Sequence, residues 1–244
     1  MAPLLRIFSL LILLVAPLLG SIPERVARHK IGVCILAMGC HDASAQSLVE
    51  SARRHLCLSH DVKYFVITDA AIVQEAPDIV KLYHSPIDTK LRIFHLLEEH
   101  QKVLEEFDYL FALDSEMMFV APVGDELLSD LVATQHPAFI NRKGAYENNR
   151  LSTAYVAPYE GRHYFTSRFF GGKKSEFFKL LKSVKKMIDA DLSKDFVSKR
   201  QEESHLNRYW IDHQPTRILS PSYCYPENWH LEFPRKVVAL SKCA

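Results

Sequence analysis

Apolar residues in this chain recur at two spacings. Lys30 to Met38 (KIGVCILAM) is a short, almost wholly apolar run rich in branched residues, the pattern of a strand buried on both faces. After it, Asp42 is placed to cap a helix in which Ala45, Leu48, Val49, Ala52 and Leu56 recur at helical spacing. Val62 to Thr68 and Val80 to Tyr83 predict a second and a third strand. Thr89 to Phe107 predicts one long amphipathic helix with Leu91, Leu96, Leu97 and Leu104 inward, and Tyr109 to Leu113 (YLFAL) predicts another buried strand. The later half is less regular: helices are expected near Ser175 to Asp191 and Ser204 to Ile211, then short strands.

Strand–helix–strand alternation implies an α/β fold with a mostly parallel sheet covered on both faces. In such sheets ligands bind at the carboxyl ends of the strands, which draws attention to Asp114, directly after YLFAL. No linker divides the regular first half from the less regular second, so one two-lobed domain is expected. Lys and Arg number 30 against 29 for Asp and Glu, a balance that offers nucleic acid or acidic lipid no global attraction.

The first residues follow another pattern. Arg6 precedes the apolar run Ile7 to Leu19, and small residues Gly20 and Ser21 close it. The run is shorter than the roughly 20 residues of a comfortable membrane-spanning helix. Residues 1–21 therefore read as a secretory signal peptide or a short signal anchor, residues 22–29 as a linker and 30–244 as the catalytic domain. Either reading of the leader places the domain in the secretory lumen, in the Golgi as a type II protein or secreted if the leader is cleaved. Cys34, Cys40, Cys57, Cys224 and Cys243 allow one or two disulfides there with a thiol left over, and Cys34, inside the first strand, is expected to pack as a small hydrophobe.

Four groups of residues carry candidate chemistry. Asp114-Ser115-Glu116 sets two carboxylates one residue apart at a strand end, where alternation points them in similar directions. Hard oxygen ligands suit Mn²⁺ or Mg²⁺ bridging phosphates, and a solvated acidic loop is the plain alternative. Glu202 and Glu203 precede a helix, where capping is the default and a carboxylate facing a reacting carbon is the functional reading. Thr134-Gln135-His136-Pro137 ends a strand-like run with an imidazole able to bond a sugar hydroxyl. Phe169-Phe170-Gly171-Gly172 pairs aromatics with glycines that permit a tight turn or close approach to a ligand.

These pieces occur in an order that resembles glycosyltransferase family 6, the family of the ABO blood-group and α1,3-galactosyl transferases. The resemblance runs from about Lys30 to Lys242 on KIGV, FDYLFALDSE, QHPAF, TAYVAP, RFFGG, EESHLNRYW and PTRILSPSY. It implies a GT-A type nucleotide-sugar-binding sandwich that moves galactose or N-acetylgalactosamine from UDP to the 3-hydroxyl of a galactose-type acceptor glycan with retention. By the same resemblance Asp114 and Glu116 match a metal-binding D-x-D with Mn²⁺ as the usual ion, and Glu203 matches the carboxylate beneath the anomeric carbon. His136 matches a sugar-contacting histidine, with Thr134 and Glu202 beside the sugar or acceptor. Leu36, Ala37, Met38 and His41 fall where the family holds uridine. Ser115, Arg92 and Lys242 fall on the donor side, Lys242 at the diphosphate. The chain departs from the pattern at Glu116, one methylene longer than Asp, and at Arg168, where relatives carry a small residue lining the donor pocket. Arg200 and Gln201 replace Trp and His, and Pro226 replaces an acceptor-contacting acid. A catalytically inactive glycan- or nucleotide-sugar-binding protein on the same fold is the alternative, and a glycoside hydrolase with paired carboxylates a third.

Overall fold

A computed structural model describes residues 27–37, 42–69, 76–83 and 90–241. The leader, Met38, Cys40, His41, Lys242 and Cys243 lie outside the described residues. In chain order the elements are β1 (Lys30–Ala37), α1 (Asp42–His55), β2 (Asp61–Thr68), β3 (Ile79–Tyr83), α2 (Ile93–Glu99), α3 (Gln101–Leu104), β4 (Tyr109–Asp114) and β5 (Met117–Phe119). Then come β6 (Leu131–Gln135), β7 (Phe165–Lys173), α4 (Lys174–Leu192), α5 (Glu202–Asp212), β8 (Arg217–Leu219), β9 (Tyr225–Pro226) and β10 (Val237–Ala239).

Seven strands form the main sheet in the order β3-β2-β1-β4-β7-β6-β8. All neighbours are parallel except at β7, which runs antiparallel to both β4 and β6. Side chains alternate between the faces, as strand geometry requires. Ile31, Val33, Ile35, Phe111 and Phe169 pack with α1 and a small second sheet, β5-β10-β9. Cys34, Phe65, Leu110, Ala112 and Phe170 pack on the opposite face with α2, α4 and α5. The result is a single α/β domain whose mostly parallel sheet is covered on both sides.

The helical periodicity of α1 holds, with Ala45, Leu48, Val49, Ala52 and Leu56 all buried. The expected helix from Thr89 to Phe107 is broken instead: a 3-10 turn at Lys90–Arg92 leads into α2, and His100 (φ −94°, ψ 10°) separates α2 from α3. Leu91, Leu96, Leu97 and Leu104 are buried nonetheless, so the apolar stripe survives a change of axis. Cys34, Cys57 and Cys224 are free and buried, and burial pushes the Cys34 thiol up to about 12, the behaviour of a packed hydrophobe. No helix among the described residues is long and apolar enough to cross a membrane.

Candidate active site

Because β7 runs against its neighbours, its amino end meets the carboxyl ends of β1, β4 and β6 at one edge of the sheet. Asp114 ends β4 opposite Leu36 of β1. The Glu116 N–H donates to Asp114 Oδ1 at 3.0 Å, folding the D-x-E segment into a turn. The two carboxylates therefore leave a turn, where strand alternation had been expected to align them, and they converge on a third residue. Arg168 Nε lies 3.7 Å from Asp114 Oδ2, and its Nη2 lies 3.5 Å from Glu116 Oε2.

A register slip brings Arg168 there. Ala133 stands opposite Phe170, so regular pairing would set Gln135 opposite Arg168, yet Phe165 stands there. Thr166, Ser167 and Arg168 are thus extra residues on β7, and the Arg168 N–H donates to Thr166 Oγ1 at 3.2 Å within this bulge. Bulges commonly re-aim side chains beside active sites. The glycines that follow have a different task from the ligand approach or turn that their sequence allowed. A Cβ on Gly171 would stand 2.3 Å from the Leu110 carbonyl oxygen, and one on Gly172 (φ +138°) 2.2 Å from that of Asp130. They let β7 lie close against its surroundings, while Phe169 and Phe170 are wholly core.

The bulge opens onto a cleft of about 650 Å³. His136, Arg168, the loop Lys199–Glu203 and the carboxyl-terminal segment with Pro226, Trp229 and Ser241 line it. Ser167 ties its two acids together: its N–H donates to Glu203 Oε2 at 3.2 Å and its hydroxyl to Glu202 Oε1 at 3.0 Å. Glu202 is buried and Glu203 half-buried, which leaves Glu203 the more accessible carboxylate. Burial first, and then the charge of Glu203, push the neighbouring Tyr164 phenol upward.

His136 enters the same cleft with its chemistry settled by one hydrogen bond, burial and two nearby cations. The Ala138 N–H donates to its Nδ1 at 3.1 Å, which leaves Nε2 to carry the ring proton. Burial, then the charges of Arg200 and Arg168, lower its pKa to about 4. The ring is therefore neutral near pH 7 and offers an N–H to an oxygen such as a hydroxyl.

The loop carrying the acids is held from behind. Asp191 and His205 are both buried, with Asp191 Oδ2 3.0 Å from His205 Nε2, while His205 Nδ1 faces the Gln201 carbonyl at 3.1 Å. Burial works against the Asp191 carboxylate, but hydrogen bonds from Ser152, Thr153 and His205 together hold its pKa below the usual range. Gln201 sits in the left-handed region (φ 48°) at the start of α5, a conformation that non-glycine residues adopt only where the surroundings impose it.

Among the other sequence candidates, Ala37, Thr134 and Ser115 are buried, and Thr134 does not line the cleft. Arg92 is exposed at the end of its 3-10 turn, away from the cleft lining. Ser167, Lys199 and Trp229 line the cleft without having been expected there. The Ser167 bonds depend on the bulge, for which the sequence carries no signal.

Two carboxylates are a sufficient protein share for a Mn²⁺ or Mg²⁺ ion that takes its remaining ligands from phosphate and water. Here, however, the Arg168 guanidinium already pairs with both. As arranged, the donor set suits a divalent ion but the cation beside it does not.

Comparison with known proteins shows the family to which the chain belongs. Globoside alpha-1,3-N-acetylgalactosaminyltransferase 1 of Homo sapiens is 34% identical over 212 residues, 81% of this chain and 61% of that protein. The Mus musculus protein of the same name is 33% identical over the same spans. Histo-blood group ABO system transferase 2 of Rattus norvegicus is 30% identical over 218 residues, 83% of this chain and 65% of the relative. The chain thus spans about three fifths of the length of the first of these relatives (61%). Residues 24–243 match the family described as glycosyltransferase family 6, and with these identities the chain belongs to that family.

Proposed function

We propose that this chain is a retaining hexosyltransferase, moving galactose or N-acetylgalactosamine from a UDP-sugar to the 3-hydroxyl of a galactose-type acceptor glycan. The observation that carries the reading is the single cleft in which Glu203 and a neutral His136 face common space beside the cations Arg168, Lys199 and Arg200. The cations supply charge for a nucleoside diphosphate, with arginine suited to paired phosphate oxygens. His136 Nε2–H orients a hydroxyl of the sugar. Glu203, fixed by the Ser167 N–H, meets positive charge developing at the anomeric carbon, as nucleophile or as electrostatic support. The acceptor oxygen bonds the anomeric carbon as the bond from that carbon to UDP breaks, its proton leaving with the departing diphosphate, and retention follows if the hydroxyl arrives on the face UDP leaves or after a glycosyl-enzyme intermediate. The names of two relatives, both alpha-1,3-N-acetylgalactosaminyltransferases, support the α1,3 linkage and N-acetylgalactosamine as a donor sugar. The apolar leader supports action in the secretory lumen.

Incubating the purified chain with UDP-galactose or UDP-N-acetylgalactosamine and a β-galactoside tests this reading. Transfer giving an α-linked product is expected, and the preferred donor is read from the same assay. A second reading, nucleotide-sugar binding without turnover, is favoured by Arg168 projecting into the cleft where a hexose would lie. UDP binding with no transfer of either sugar would select it.

A further inference from the structure

The Asp114–Glu116 pair has an unusual neighbour. Both carboxylates face the Arg168 guanidinium, at 3.7 Å and 3.5 Å, and the Glu116 side chain is only 5% exposed. Arg168 lines the cleft, whereas Asp114 and Glu116 do not, so the guanidinium stands between the acids and the space where a ligand would sit. The bulge of Thr166 to Arg168, stitched by Thr166 Oγ1 and by the Ser167 bonds to Glu202 and Glu203, is what holds the arginine in that position.

We propose that Arg168 is the resident cation of this pair: it takes the place of a divalent metal between Asp114 and Glu116, which admit such an ion only when the guanidinium is withdrawn. One cation cannot be brought against another at contact distance without strong repulsion, more so where burial lowers the local dielectric. The charge of the acids is then met by the chain itself. The cleft side of the guanidinium presents N–H donors to phosphate oxygens, a geometry for which a planar guanidinium is well made. A nucleoside diphosphate would accordingly bind without added metal. The inference deepens the proposed donor site and rests on that reading for the nucleotide, but its metal arm needs neither nucleotide nor turnover.

The first measurement is a titration of the purified chain with Mn²⁺ alone, followed by the electron paramagnetic resonance signal of the free ion. Arg168→Ala should bind Mn²⁺ at least about tenfold more tightly than the wild type, a modest share of the repulsion between adjacent cations. Adding Asp114→Asn to that variant should remove the gain. Arg168→Gln, closer in shape and uncharged, serves if the alanine variant does not fold. Equal Mn²⁺ affinity in wild type and variant, or a gain that survives Asp114→Asn, overturns the proposal. Calorimetric titration with UDP forms the second arm. Wild-type affinity should be unchanged by a chelator, and UDP binding that requires Mn²⁺ would overturn the proposal. No UDP binding under either condition would instead remove the donor-site reading, with the Mn²⁺ comparison still deciding the role of Arg168.

Discussion

His136 takes its state from its neighbours. With a folded pKa near 4 against an ordinary value of 6.5, the native protein binds fewer protons than the unfolded chain between these values. Stability therefore falls as pH drops through that window. His136→Gln should flatten this part of a denaturation-against-pH series, and an unchanged slope would show that the imidazole is not held neutral. The sequence offers His136 as an imidazole after a strand, able to bond a sugar hydroxyl, and the family resemblance as a sugar-contacting histidine, but not its protonation state. What makes it a donor, the Ala138 N–H on Nδ1 and the charges of Arg200 and Arg168, comes in part from residues beyond β7 and α4 in the chain. Glu203 was likewise legible: on the residues alone capping is the default, and the family resemblance matches it to the carboxylate beneath the anomeric carbon, but the Ser167 bonds to both acids leave no trace in the sequence.

At the scale of elements, β7 decides the site. Its antiparallel course brings its amino end to the ligand edge, and its bulge aims Arg168 at Asp114, which ends β4, and at Glu116 in the turn after it. Strand runs and the stripes of α1 and α4 were readable because buried elements must repeat apolar residues at fixed periods. The bulge was not, since one misaligned turn of pairing leaves no period behind. The break at His100 was hidden for a related reason: the leucine stripe continues across it. Gly172, with φ +138° and the Asp130 carbonyl 2.2 Å from where a Cβ would stand, locks the far end of β7. Gly172→Ala should destabilise the protein by about 2–3 kcal/mol, visible as a thermal midpoint lower by roughly 5–10 °C. A midpoint within about 1 °C of wild type would show that the strand end is not tightly held.

For the whole molecule, the carboxyl-terminal segment is folded back across the main sheet to complete the cleft, as β9 and β10 join β5. Glu126 anchors it, accepting from Lys236 Nζ at 2.6 Å and from the Tyr223 hydroxyl at 2.8 Å. Burial opposes the charge, but bonds from Lys236 and Tyr223 outweigh it and lower the Glu126 pKa from 4.5 to about 2. The stability this lends is fully present above pH 4.5 and is lost as pH falls toward 2. Glu126→Gln should weaken the protein at neutral pH and remove that acid-side loss, as denaturant titrations at pH 7 and pH 3 would show; parallel losses at both would exclude the charge. The general architecture was written in the alternation of strands and helices, whereas this closure joins residues far apart in sequence and had no local signature. In the proposed reaction the cleft transfers a hexose with Glu203 at the anomeric carbon. Its most direct test compares Glu203→Gln with wild type for both sugar transfer and UDP affinity. Transfer should fall by about 10²-fold or more, the scale of losing one electrostatic stabiliser of a transition state, with UDP affinity retained. Full transfer by Glu203→Gln would contradict the account.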